Sequence, residues 1–282
     1  PASAPAYPAV TKFRGIQTTV VRAGPWIAYF ANYDRSVWSR GFINLWHTGQ
    51  RDWIFSTLHS LPPATLDATA RAKARLGDTD DWAGFPHVRV TAGETHYDSQ
   101  QRISSIETTK EADGVTVNWV EPLLAFDGAA GGELRSSCRF HSQEIEMQLD
   151  LKDIEGRVWF DFHFMKRPDG WANYWVGEEM DDILAGRFVK TGGNYGRFNE
   201  QAFKAGDFTL CGLQLDRTVF VFEVVAAPPS ATIRLKPNAE SGLHTGGDEV
   251  TGGHGGLRFR IEVPTSEKQV TLKLRIRALS PP

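Results

Sequence analysis

The sequence predicts an all-β protein, built as a large antiparallel β-sandwich or supersandwich with at most one short helix. Three observations carry this. Helical periodicity is nearly absent over 282 residues. Runs of β-branched and aromatic residues recur along the chain, as in Arg157-Val-Trp-Phe-Asp-Phe-His-Phe-Met165. Gly, Pro, Asn and Asp punctuate those runs. One large β domain fits this length, since such domains reach roughly 250 residues as single units.

The elements follow in order. Pro1–Lys12 reads as a Pro/Ala linker or ragged start, and residues 13–282 as the sandwich domain. Ile16–Arg22, Trp26–Ala31, Gly41–His47 and Trp53–Leu58 read as consecutive hairpin strands, with Gly24-Pro25 and Thr48–Asp52 as turns. Thr65–Leu76 is Ala- and Arg-rich and is the one helix candidate. Strands resume at His87–Thr91, Arg102–Glu107, Val115–Val120, Leu134–Phe140, Glu144–Leu151 and Arg157–Met165. Ala112-Asp-Gly114 and Pro168-Asp-Gly170 have hairpin-turn chemistry. Residues 177–207 are less regular, and Phe208–Leu215, Val219–Val225, Ala231–Leu235, Leu257–Val263 and Val270–Ala278 complete the strands.

The apolar share of 41% suffices for a core, and a net charge of -3 points away from nucleic acid. No apolar run approaches the ~18 residues a membrane-spanning helix needs. Cys138 and Cys211 stand outside CxxC spacing and read as two buried thiols or one disulfide. GxSxG, HExxH and the phosphate-loop pattern are absent.

Four constellations could carry chemistry. The first holds Tyr29, Tyr33, Asp34, Arg35, Trp38, Arg40, Asn44, Trp46 and His47: rings that stack on sugar faces, guanidiniums that grip carboxylate or sulfate, and an acid/base. A tryptophan-rich core with surface arginines is the alternative. The second is Asp161 and His163, two apart on a strand and so on one face, opposite Phe160, Phe162 and Phe164. They offer a half-site for calcium or zinc, or else a solvated polar face. The third is Trp171 and Tyr174 running into the acids Glu178 to Asp182, a glycan surface or a solvated acidic turn. The fourth is Tyr195 and Arg197 among glycines. A phenolate taking a proton beside a cation that steadies an enolate is the pair a lyase needs.

Thr19-Val-Val-Arg-Ala-Gly-Pro-Trp26 and Arg40-Gly-Phe-Ile-Asn-Leu-Trp-His47 resemble part of the carboxy-terminal β-sandwich of heparinase II and III-like polysaccharide lyases. The resemblance covers residues 14–60 by motif and the rest by strand pattern. It implies a polysaccharide-active sandwich that is secreted or periplasmic, with an acidic glycan as partner and a helical toroid domain upstream. Two departures stand out. The sequence has no helical domain, and Gly253-His-Gly-Gly256 is a fragment of the family's HGH-type motif. His47 is then the candidate that the sandwich contributes to the cleft; Tyr195 and Arg197 are the other catalytic candidates. A non-catalytic carbohydrate-binding module and a structural interaction sandwich are the alternatives.

Overall fold

The computed structural model describes residues 8–14, 17–32, 40–49, 54–56, 86–99, 103–125, 127–165, 173–177, 189–190, 201–208, 210–215, 218–237 and 256–279. The chain is all-β, with two sheets and no α-helix among the described residues. Residues 65–76, the helix candidate, lie outside them.

The small sheet is a meander of five strands in chain order: β1 (Ala9–Phe13), β2 (Thr18–Ala23), β3 (Trp26–Asn32), β4 (Arg40–His47) and β5 (Phe55–Ser56). The consecutive hairpins expected from sequence are therefore present. β1 begins inside the segment read as linker and pairs in register with β2, Ala9 opposite Arg22.

The large sheet starts with β6 (His87–Ala92), β7 (Thr95–Asp98), β8 (Ser105–Lys110), β9 (Gly114–Leu124), β10 (Ala130–His141), β11 (Glu144–Lys152) and β12 (Arg157–Met165). It continues through β13 (Asn173–Gly177), β14 (Val189–Lys190), β15 (Gln201–Lys204), β16 (Leu210–Leu215), β17 (Thr218–Ala226), β18 (Thr232–Pro237), β19 (Gly256–Val263) and β20 (Val270–Leu279). Their spatial order is β14-β13-β16-β17-β20-β11-β10-β9-β7-β6-β12-β19-β18-β15. The far edge of β9 forks: β8 pairs with Val115–Val120, and β7 meets it only at Leu124.

Period-two alternation builds the core. Val115, Val117 and Trp119 of β9, Leu134, Cys138 and Phe140 of β10, and Leu272, Leu274 and Ile276 of β20 all point inward. The opposite face of β11, β20 and β17 is a ladder of charge. Arg277 reaches Glu144 at 3.0 Å and Arg275 reaches Glu223 at 3.1 Å.

Aromatic rings join the two sheets. Phe30 stacks on Phe42 (4.6 Å), and both pack against Trp119 and Phe140. Trp26 meets Phe220 of β17 at 6.1 Å. Buried aromatic pairs add about 0.5–1.5 kcal/mol each beyond their area. Gly24 adopts φ +55°, and a Cβ there would come within 2.7 Å of the Ser142 backbone, so the β2–β3 turn sits against the β10–β11 turn.

Part of the large sheet departs from one-sided burial. Val88, Val90, Phe160, Phe162, Phe259 and Ile261 fill one face of β6, β12 and β19. His87, Arg89, Asp161 and Arg260 lie on the other, and they too are buried. The solvated alternative for Asp161 is thereby overturned.

Candidate functional site

His47 ends β4 on the face turned to the large sheet. Its ring stands edge-on to Trp26 at 4.8 Å and to Phe220 at 5.6 Å. Burial lowers its pKa to about 4, so the imidazole is neutral near pH 7. The Gly49 amide donates to Nδ1 at 3.1 Å. The lone pair is thus engaged at Nδ1 and the proton sits on Nε2. This ring is set up as a hydrogen-bond donor, and to act as a base it must first give up Gly49.

The first constellation divides across the small sheet. Asn44 pairs with Tyr29 and Trp46 with Ile27 on the face opposite His47, whose own cross-strand partner is Trp26. A bulge between Tyr29 and Phe30 sets this phase. Asn44 is 5% exposed, and its Oδ1 has no hydrogen-bond partner among the described residues. Arg40 begins β4 opposite Asn32. Tyr33, Asp34, Arg35 and Trp38 lie outside the described residues. So do Trp171, Tyr195, Arg197 and the acids from Glu178 to Asp182. Tyr174 lies on β13 in register with Leu213.

Of the metal half-site, Asp161 is already held in an ion pair. Both Asp161 oxygens accept from one guanidinium, Arg260 Nε at 2.6 Å and Nη2 at 2.8 Å. That cation occupies the carboxylate and repels a metal ion. His163 stands opposite Arg258 in register. No group of three or more metal-ligating side chains occurs among the described residues. Cys138 and Cys211 are free and buried, and burial raises both thiol pKa values, Cys211 to about 12.

The sequence reading passed over a second cluster that the register assembles. Asp98 of β7 pairs with Arg89 of β6, Arg89 with Trp159 of β12, and Asp161 with both His87 and Arg260. Asp98 Oδ1 lies 2.7 Å from Arg89 Nε and 3.1 Å from His87 Nε2. Burial alone would push the Asp98 carboxyl up, but the His87 hydrogen bond and the Arg89 charge outweigh it and hold it below the ordinary carboxylate range. Arg260 also lies over the Trp159 ring, 4.5 Å from its centroid. The available signal was charge placed where strands otherwise alternate with valine and phenylalanine: His87-Val-Arg-Val, Phe160-Asp-Phe and Arg258-Phe-Arg-Ile. On the core face of β9, Glu121 is 1% exposed and accepts from Trp119 Nε1 at 2.9 Å.

No family model matches the chain, and no curated protein is similar to it in sequence. Solved structures share its fold. Heparinase III aligns at a TM-score of 0.58 and 11% identity over 97% of this chain and 37% of that one. Heparan sulfate lyase HepC from Pedobacter heparinus aligns at 0.55 and 7% identity over 96% and 36%. The GH36 alpha-galactosidase AgaB from Geobacillus stearothermophilus aligns at 0.55 and 14% identity over 97% and 41%. The chain thus spans about two fifths of the length of each. The expected resemblance to heparinase-type sandwiches holds as a weak likeness of fold.

Proposed function

We propose that this chain is a polysaccharide-active β-sandwich and forms part of a lyase that cleaves an acidic glycan by β-elimination. The observation that carries the reading is the fold likeness along nearly the whole chain to two enzymes named as heparinase III and a heparan sulfate lyase. An acidic polysaccharide is the proposed partner, a further helical domain supplies the rest of the cleft, and the site of action is secreted or periplasmic.

β-Elimination needs a base for the proton beside the uronate carboxyl, a group that neutralises that carboxyl, and an acid for the leaving oxygen. His47 suits the donor roles, because its neutral ring carries the proton on Nε2. Tyr195 and Arg197 are proposed as base and neutralising cation. Tyr33, Arg35, Trp38, Arg40, Asn44, Trp46, Trp171 and Tyr174 are proposed to bind sugar.

A non-catalytic glycan-binding module is the second reading. Incubating the chain with a panel of acidic polysaccharides and following the ultraviolet absorbance of unsaturated uronate separates the two. A rise lost in His47→Ala and in Tyr195→Phe is the expected outcome. Binding in affinity electrophoresis without any rise would favour the module.

A further inference from the structure

The turn that ends β4 is pinned on three sides. The Thr48 amide donates to the Pro25 carbonyl at 2.9 Å, and the Gly49 amide donates to His47 Nδ1 at 3.1 Å. The third side is Thr218, the buried first residue of β17. A Cβ on Gly49 would lie 3.0 Å from Thr218 Oγ1 and 3.1 Å from His47 Nδ1, so a side chain at that position must push one of them away. Trp26 and Phe220 wedge the imidazole from the two sheets. The turn also opens to solvent: Thr48 and Gly49 are exposed, and His47 is partly so. The ring is therefore within reach of a ligand in the fold as it stands.

Three roles in β-elimination are open to a histidine, and this arrangement removes two. A base needs a lone pair, and the one on this ring is taken by Gly49. An acid needs the imidazolium. With a pKa of about 4, roughly one ring in a thousand is protonated at pH 7. What remains is the Nε2–H of the neutral ring, a donor that can meet negative charge as it builds.

We propose that His47 donates a hydrogen bond from Nε2 to the carboxylate of a uronate without exchanging a proton, and that Gly49, backed by Thr218, is the positioning residue that holds it in this form. The inference rests on the lyase reading above and narrows the part His47 plays in it. The base, proposed as Tyr195, takes the proton from the carbon beside the carboxylate. The C–H electron pair moves toward the carboxylate oxygens, where Nε2–H meets the growing charge. That pair then forms the C=C bond, the C–O pair departs on the glycosidic oxygen, and the base returns the proton to that oxygen. Atoms and charge balance, and His47 ends as it began.

The test uses the full chain, its His47→Ala, His47→Gln and Gly49→Ala variants, and the acidic polysaccharide panel. Melting curves verify folding. If the wild type turns over a glycan, His47→Ala should lower kcat by about 100-fold or more, the loss that follows removal of one such donor. His47→Gln keeps an N–H near the place of Nε2, so it should hold kcat within about tenfold of wild type and leave the pH profile of kcat in place. Gly49→Ala should lower kcat by about fivefold or more, since it disturbs the hydrogen bond that sets the tautomer. A His47→Gln variant as slow as His47→Ala, or one that loses a limb of the pH profile, would overturn the proposal. If no glycan is turned over, the lyase reading fails, and nitrogen-15 histidine spectra decide the arrangement separately. They should show wild-type His47 as the Nε2–H tautomer, untitrated between about pH 6 and 8, with an Nε2 resonance that shifts on adding a glucuronate disaccharide. Gly49→Ala should mix the tautomers. The opposite tautomer, a titration in that range, or an Nε2 resonance that the disaccharide leaves unmoved sinks the proposal.

Discussion

At the residue scale, His47 ties the pH dependence of stability to its packing. Its imidazole is wedged against Trp26 and Phe220, which lowers its pKa from 6.5 to about 4. Between those values the unfolded chain takes up a proton that the folded chain refuses. The contribution of neutral His47 is complete above pH 6.5 and is lost as pH falls toward 4. The melting temperature of wild type should therefore drop over that interval, and that of His47→Gln should drop less. The variant also loses the Gly49 hydrogen bond, at about 1 kcal/mol near pH 7. Thermal melts of both proteins at half-unit pH steps check this. The sequence named His47, Asn44 and Trp46 as one cluster because they are neighbours in the chain. It was blind to the bulge that sets their phase across the sheet. For Asp161 the sequence offered His163, two residues away, and could not show the ion-pair partner Arg260, 99 residues away.

At the element scale, β12 buries both faces over Phe160–Phe162, one apolar and one charged. The charged side of such a strand is balanced in pairs. Arg260→Met alone should cost about 3–5 kcal/mol, because it strands the Asp161 carboxylate in a buried site. The double change Asp161→Leu with Arg260→Met should cost much less. Urea denaturation of both single variants and the double variant measures the coupling. Long strands with one apolar face were legible from alternation alone, and Arg157–Met165 was bounded as the structure has it. The short or edge strands were not. β1 is mostly exposed, with Phe13 at 47%, and β7 holds four residues, so neither shows an inward stripe to read. The hairpin turn at 112–114 was readable because Gly114 abuts the Phe140 carbonyl, where a Cβ would come within 2.4 Å.

At the scale of the whole molecule, the sequence conveyed strand content but not strand order. Order is set by pairings between distant segments, and β20 is the clearest case. It lies between β17 and β11, making the register Leu274 opposite both Met147 and Val224. Deleting Val270–Leu279 would leave two open edges in the middle of the large sheet and strip Leu272, Leu274 and Ile276 from the core. Such a truncation should abolish cooperative unfolding, as followed by circular dichroism, and drive the chain into aggregates on size exclusion.

The same placement gives the sheet a timetable. During synthesis β11 and β17 are complete once Ala226 has been added, but the strand that joins them begins at Val270. At about 5–20 residues per second, that interval lasts roughly 2–9 s, plus the time for β20 to clear the ribosome. Throughout it two rows of backbone N–H and C=O groups wait for the same late strand. The newborn chain is then most exposed to the wrong neighbour, and the arrival of β20 is what ends the risk.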